Sequence, residues 1–73
     1  MIRIAICAPS RSLTPDDAAR VLALALEFPA IELNFHPQCF FDHGHFAGTD
    51  QQRLEAIVEC ANDPAFDAVW FAR

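Results

Sequence analysis

An α/β fold is predicted by three observations. Apolar runs of strand length alternate with segments of helical period, each helical segment opens on a threonine cap, and prolines punctuate the boundaries. The class that follows is a partial doubly wound parallel sheet, flavodoxin/Rossmann-like, with three strands and two helices. The chain is read as one incomplete domain spanning residues 1–73.

Ile2–Ala8 is a β-branched apolar run ended by Pro9, Ser10 and Ser12. Continuous apolar character marks a strand covered on both faces, since alternation is lost when neither face meets water. Thr14-Pro15-Asp16-Asp17 then starts a helix. Threonine caps the free amides, proline suits a first turn whose amide has no partner, and aspartates favour the positive end of the dipole. Ala18, Val21, Leu22, Ala25 and Leu26 recur at helical spacing and are expected to face the core. Pro29 should end this helix near Phe28.

Ala30–Phe35 alternates apolar and polar residues, which suits a strand near a sheet edge. His36 to Gly48 is irregular. At Thr49, a capping box with Gln52 announces a second helix. Leu54, Ile57, Val58 and Ala61 give its expected buried stripe, and Asn62-Asp63-Pro64 stops it. Ala68–Ala72 is a third buried-strand pattern within the closing segment Ala65–Arg73. The order β-α-β-loop-α-β predicts right-handed crossovers and a sheet ordered 2-1-3, with one helix on each face. Much of such a sheet would stay uncovered.

Composition narrows the function. The chain is 53% hydrophobic and 21% charged, with a formal net charge of −5. Ten acidic residues stand against five arginines and no lysine, so no basic stripe exists for nucleic acid or an anionic membrane. Partners are therefore expected to be small molecules or protein. Cys7, Cys39 and Cys60 are odd in number and unpatterned, which implies no disulfide framework. With no signal-peptide pattern and no membrane-length apolar stretch, a cytoplasmic location is expected.

Ligands in parallel sheets bind beyond the carboxyl ends of the strands. Here those ends are Ala8-Pro9-Ser10-Arg11-Ser12, the loop His36–Gly48, and the region after Arg73. The first turn lacks the glycines of a dinucleotide or phosphate loop, which removes both nucleotide readings. It is either a substrate-binding turn or a plain strand-to-helix connection. The loop holds His36, Cys39, Asp42, His43 and His45, competent metal ligands whose spacing matches no structural zinc pattern. The alternative is a loop whose aromatics pack on the sheet while its histidines face water. Arg53 can pair with Asp50, whereas Glu27 and Glu32 have no acid–base partner. No serine or cysteine stands with histidine and carboxylate at a known spacing.

Three stretches resemble the N-terminal part of the LD-carboxypeptidase family, serine peptidases that include microcin-immunity relatives. Ile4-Ala5-Ile6-Cys7-Ala8-Pro9-Ser10 is similar to its opening strand and Ala-Pro-Ser turn. His45-Phe46-Ala47-Gly48-Thr49-Asp50-Gln51-Gln52-Arg53-Leu54 resembles its Ala-Gly-(Ser/Thr)-Asp motif, with an arginine three residues on. Asn62-Asp63-Pro64 with Asp67–Arg73 resembles the strand entering an Arg-Gly-Gly-Tyr-Gly turn. A departure is Pro29-Ala30, where the family has a glycine.

The resemblance implies hydrolysis of the L,D amide to a terminal D-alanine in murein tetrapeptides, in cytoplasmic cell-wall recycling. Microcin-immunity relatives instead cleave an aminoacyl-nucleotide-type toxin. It implies a Ser-His-Glu triad and no cofactor. The triad serine, glutamate and histidine fall beyond residue 73, so no catalytic residue, no metal ligand and no substrate-binding residue is assigned in this chain. Arg73 matches the arginine before the family's turn. An N-terminal fragment, inactive alone, is the leading expectation. The alternatives are a small metal-binding module using His36, Cys39, His43 and His45, and a non-enzymatic interaction domain that completes its sheet by homodimerising.

Overall fold

The computed structural model describes residues 1–44 and 46–72. Strand β1 spans Ile2–Cys7, helix α1 Pro15–Ala25, strand β2 Ile31–Phe35, helix α2 Asp50–Asn62 and strand β3 Ala68–Phe71. A single 3₁₀ turn, Pro37–Phe40, follows β2. The sheet is parallel and ordered β2-β1-β3, as the alternating elements predict. Ile4 stands in register with Leu33 on one side and Ala68 on the other. Among the described residues, no helix is long and apolar enough to cross a membrane.

Both helix starts form as their sequences dictate. Thr14 Oγ1 accepts from the Asp17 amide at 3.1 Å, and Asp17 Oδ2 accepts from the Thr14 amide at 3.1 Å. Thr49 and Gln52 exchange the same pair of bonds at 3.2 and 2.9 Å. Each box satisfies two amides that the first helical turn leaves unpaired. Helix α1 ends at Ala25, three residues before the expected Phe28. Residues 26–30 close the connection with Ile31 N–H on Phe28 O at 2.9 Å. Pro29-Ala30 make this turn with no residue at positive φ, so it needs no glycine.

Strand β1 is the centre of the core. Ala5 and Cys7 face α2, packing with Ala56 and Cys60, while Ile57, Phe66 and Val69 close the margin. Ile6 and Ala8 face the other way, against Cys39 and Ala47, with Leu13, Leu33 and Phe35 beside them. Period-2 alternation along one strand thus divides the interior into two layers.

Three burial expectations are corrected. Leu54 and Val58 of α2 are exposed at 57% and 48%, and Ala56 and Cys60 are the buried pair instead. Both sets recur at helical spacing. The small pair wins because Ala5 on β1 lets the helix approach closely only where its own side chains are short. On α1, only Ala18 is buried, while Val21, Leu22 and Leu26 stay exposed. An open groove of about 200 Å³ lies between α1 and the sheet, lined by Val21, Leu24 and Trp70 among others, so Val21 is not sealed against the strands. Strand β3 has the composition of a buried strand, yet Trp70 and Phe71 are 50% and 62% exposed. It lies at the sheet edge, with nothing among the described residues packed beyond it.

Glu32 lies on β2, well away from the strand ends where ligands would bind. Arg3 donates to it at 2.5 Å and Asn34 at 3.2 Å, and these bonds hold its carboxyl below the usual range. Glu32 is thus engaged in an ion pair with Arg3.

Candidate functional site

The carboxyl ends of β1 and β2 meet the loop 36–49 and the start of α2 in one built platform. Leu13 N–H donates to Cys39 O at 2.6 Å, Ala47 N–H to Ser10 O at 2.8 Å and His36 N–H to Ile6 O at 2.8 Å. Ala72 N–H reaches Cys7 O at 2.8 Å, which brings the end of β3 to the same edge. These bonds continue the sheet's hydrogen bonding past its last paired residues, so the turn after β1 is held on both sides.

Two side chains lock the turn. Arg53 Nη1 donates to Pro9 O at 3.0 Å, its Nη2 pairs with Asp50, and its guanidinium lies 4.5 Å from the centroid of the Phe46 ring. The pairing with Asp50 is the one the spacing predicts. The reach to Pro9, 44 residues away, has no signature in sequence. Gln38 is buried at 1% exposure and bonds Ala8 and Ala47. Its role has one faint signal in sequence, a single amide set among Pro37, Cys39, Phe40 and Phe41.

The histidine-rich loop does not converge. His36 caps the 3₁₀ turn, with Nδ1 accepting from Gln38 N–H at 3.0 Å and Nε2 2.7 Å from Glu59 Oε2. Both ring nitrogens are therefore occupied. Cys39 points inward, its thiol donating to Ile6 O at 3.2 Å, and burial pushes that thiol up to about 11. His43 is exposed. Among the described residues, no three of histidine, cysteine, aspartate and glutamate could hold a metal ion. The metal-module alternative thus loses His36 and Cys39 as ligands, because each already serves the fold. His45 and Arg73 lie outside the described residues. The solvent-facing alternative also needs correction: His36 is partly buried and paired, while Phe40, Phe41 and Phe46 are 40%, 38% and 44% exposed.

Ser10 and Arg11 are exposed and Ser12 is half-buried. Among the described residues, neither serine is hydrogen-bonded to a histidine. The platform can present a turn and a helix start to a ligand. Among the described residues it holds no assembled nucleophile and base.

Residues 4–73 match the LD-carboxypeptidase N-terminal domain of peptidase family S66. The chain belongs to the LD-carboxypeptidase family. A solved muramoyltetrapeptide carboxypeptidase from Oxalobacter formigenes is similar to it, with 29% identity and a TM-score of 0.79. That alignment covers 97% of this chain and 23% of the Oxalobacter protein, so the chain spans about a quarter of that relative's length. No curated protein matches it. In this LD-carboxypeptidase domain, the Ala-Pro-Ser turn and the Ala-Gly-Thr-Asp-x-x-Arg stretch touch through Arg53 and Ala47.

Arg53→Met keeps much of the apolar stem and removes the guanidinium. It is expected to destabilise the fold by about 2 kcal/mol, from a charged hydrogen bond to Pro9 and a cation–π contact. Urea unfolding measures this. A change below about 0.5 kcal/mol would show that the turn holds without Arg53.

Proposed function

We propose that this chain is the scaffold segment of a serine LD-carboxypeptidase. The parent enzyme would hydrolyse the amide between an L-configured diaminopimelate or lysine centre and a terminal D-alanine in murein tetrapeptides. The observation that carries the reading is the family match over residues 4–73. The Oxalobacter relative, named a muramoyltetrapeptide carboxypeptidase, supports the substrate class. The cellular role proposed is cytoplasmic cell-wall recycling, with no cofactor and no nucleic-acid or membrane partner.

The chemistry is acyl transfer. A serine hydroxyl adds to the amide carbonyl while histidine takes its proton, and backbone amides hold the oxyanion. Collapse expels D-alanine as the amine, which takes the proton from histidine. Water then cleaves the acyl-enzyme ester and restores the serine. The serine, glutamate and histidine belong to sequence beyond residue 73. The strand-end platform contributes one wall of the substrate site.

The test is D-alanine release from murein tetrapeptide, by the 73-residue chain and by the protein continuing past Arg73. Release by the longer protein alone is expected. Release by the 73-residue chain would overturn the placement of the triad. A longer protein that frees no D-alanine and takes no label from a serine-reactive phosphonate would overturn the reading itself.

A further inference from the structure

The largest fully buried side chain among the described residues is polar. Gln38 is 1% exposed, and its amide makes three hydrogen bonds: Oε1 accepts from Ala8 N–H at 3.0 Å, and Nε2 donates to Ala8 O and Ala47 O, both at 2.6 Å. The β1–β2 register ends at Ile6 and Phe35, so Ala8 has no strand partner on that side. Gln38 supplies one. Its amide meets the Ala8 N–H and C=O as a neighbouring peptide would, then bonds across to the Ala47 loop. An apolar side chain could fill this space, yet it would strand three buried backbone groups.

We infer that Gln38 is a positioning residue for the proposed hydrolysis, clamping the Ala8–Ser10 turn against Ala47 and so fixing the strand-end platform. The inference rests on the proposed function for its catalytic consequence and on geometry for the clamp. From the clamped turn, Ser10 O goes on to the Ala47 amide and Pro9 O to Arg53. Loosening residue 38 therefore frees the whole edge. Displacements of about 1 Å at such supports are enough to cost about a hundredfold in rate.

Two variants separate positioning from filling. Gln38→Met keeps the volume and removes the amide. Gln38→Glu keeps the shape but turns an oxygen lone pair toward two carbonyls. Burial raises such a carboxyl above its usual value of about 4.3, and once protonated it donates to one carbonyl again. In the peptidase that carries this segment, both variants are expected to lose at least about tenfold in kcat/KM at pH 8. For Gln38→Glu, the ratio to wild type should recover at least about threefold by pH 5, while the Gln38→Met ratio stays flat. The titratable and charged groups nearest the clamp are Cys39, His36 with its partner Glu59, and Arg53 with its partner Asp50; all three proteins share them, so the ratio isolates residue 38.

A Gln38→Met variant within about twofold of wild type, or a flat Gln38→Glu ratio, overturns the inference. If Gln38→Met fails to fold, Gln38→Glu at pH 5 carries the comparison. Failure of both to fold there would reduce Gln38 to stability alone and overturn positioning. Amide exchange of the Ala8 peptide reads the clamp without catalysis, and about tenfold faster exchange in a folded variant is expected. If the wild-type peptidase frees no D-alanine, the proposed function fails and this exchange alone judges the clamp. Unchanged exchange sinks the clamp even where hydrolysis stands.

Discussion

Gly48→Ala is expected to destabilise the domain by about 2–4 kcal/mol, a large share of the roughly 4–11 kcal/mol available to a chain of this size. Gly48 has φ +94°, a region that residues with a Cβ rarely enter. Its added methyl would also stand 2.7 Å from Gln52 Oε1 and 3.3 Å from Phe41 Cβ. Gln52 Oε1 is the acceptor of the Thr49 amide, so the side chain can yield only by giving up half of the capping box. The cost is thus backbone strain plus part of a cap worth about 1 kcal/mol. Urea unfolding of Gly48→Ala, Gln52→Ala and the double variant measures both parts. The double variant should recover about 1 kcal/mol relative to the sum of the single changes. A Gly48→Ala change within about 0.5 kcal/mol of wild type would show that the turn relaxes freely.

The positions of α1, α2 and the three strands were legible because local chemistry marks them. Thr14 and Thr49 satisfy amides within three residues, and prolines act on their immediate neighbours. The parallel sheet followed from alternation, and its order from placing one helix on each face. Side-chain burial was less legible. Leu54-Val58 and Ala56-Cys60 share the same spacing on α2, and size favours the first pair while contact with Ala5 selects the second. That choice depends on a strand some fifty residues earlier in the chain. The strand-end platform was legible as a location, since ligands favour that edge, but its construction was not. Gln38 bonds to a residue 30 positions away and Arg53 to one 44 away, and no local rule links them. The family resemblance found the two segments that Arg53 joins. It did not find Gln38, whose role appears only when the free edge of Ala8 is seen.

Alkaline pH is expected to unfold the domain through its buried thiols. Burial is the main cause that pushes Cys7 and Cys39 from 9.0 up to about 11, and it raises Cys60 as well. Neighbouring thiolates add to this, because Cys60 bears on Cys7, and Cys7 and Cys60 bear on Cys39. Unfolded thiols release their protons near pH 9, whereas folded Cys7 and Cys39 hold theirs until near 11. Across that window the unfolded state binds fewer protons, so stability falls as pH rises. The contribution is fully present below about pH 9 and is lost on passing through 11. Cys7 and Cys39 each account for on the order of 2–3 kcal/mol of it. The sequence makes the test unusually clean. It has no tyrosine, and its five basic residues are all arginines, so no other side chain titrates between pH 9 and 11. Urea midpoints measured from pH 7 to 11 should be level to about 9 and then fall. Cys39→Ala should flatten part of that fall while lowering stability at pH 7, since it leaves a small cavity beside Ile6 and Ala8. A midpoint that stays level to pH 11 would mean that the thiols ionise without opening the core. An equally steep fall in Cys39→Ala would remove Cys39 from the account. Because Cys7 and Cys39 pack on opposite sides of β1, the part of the fall that survives in Cys39→Ala belongs to the Cys7 layer.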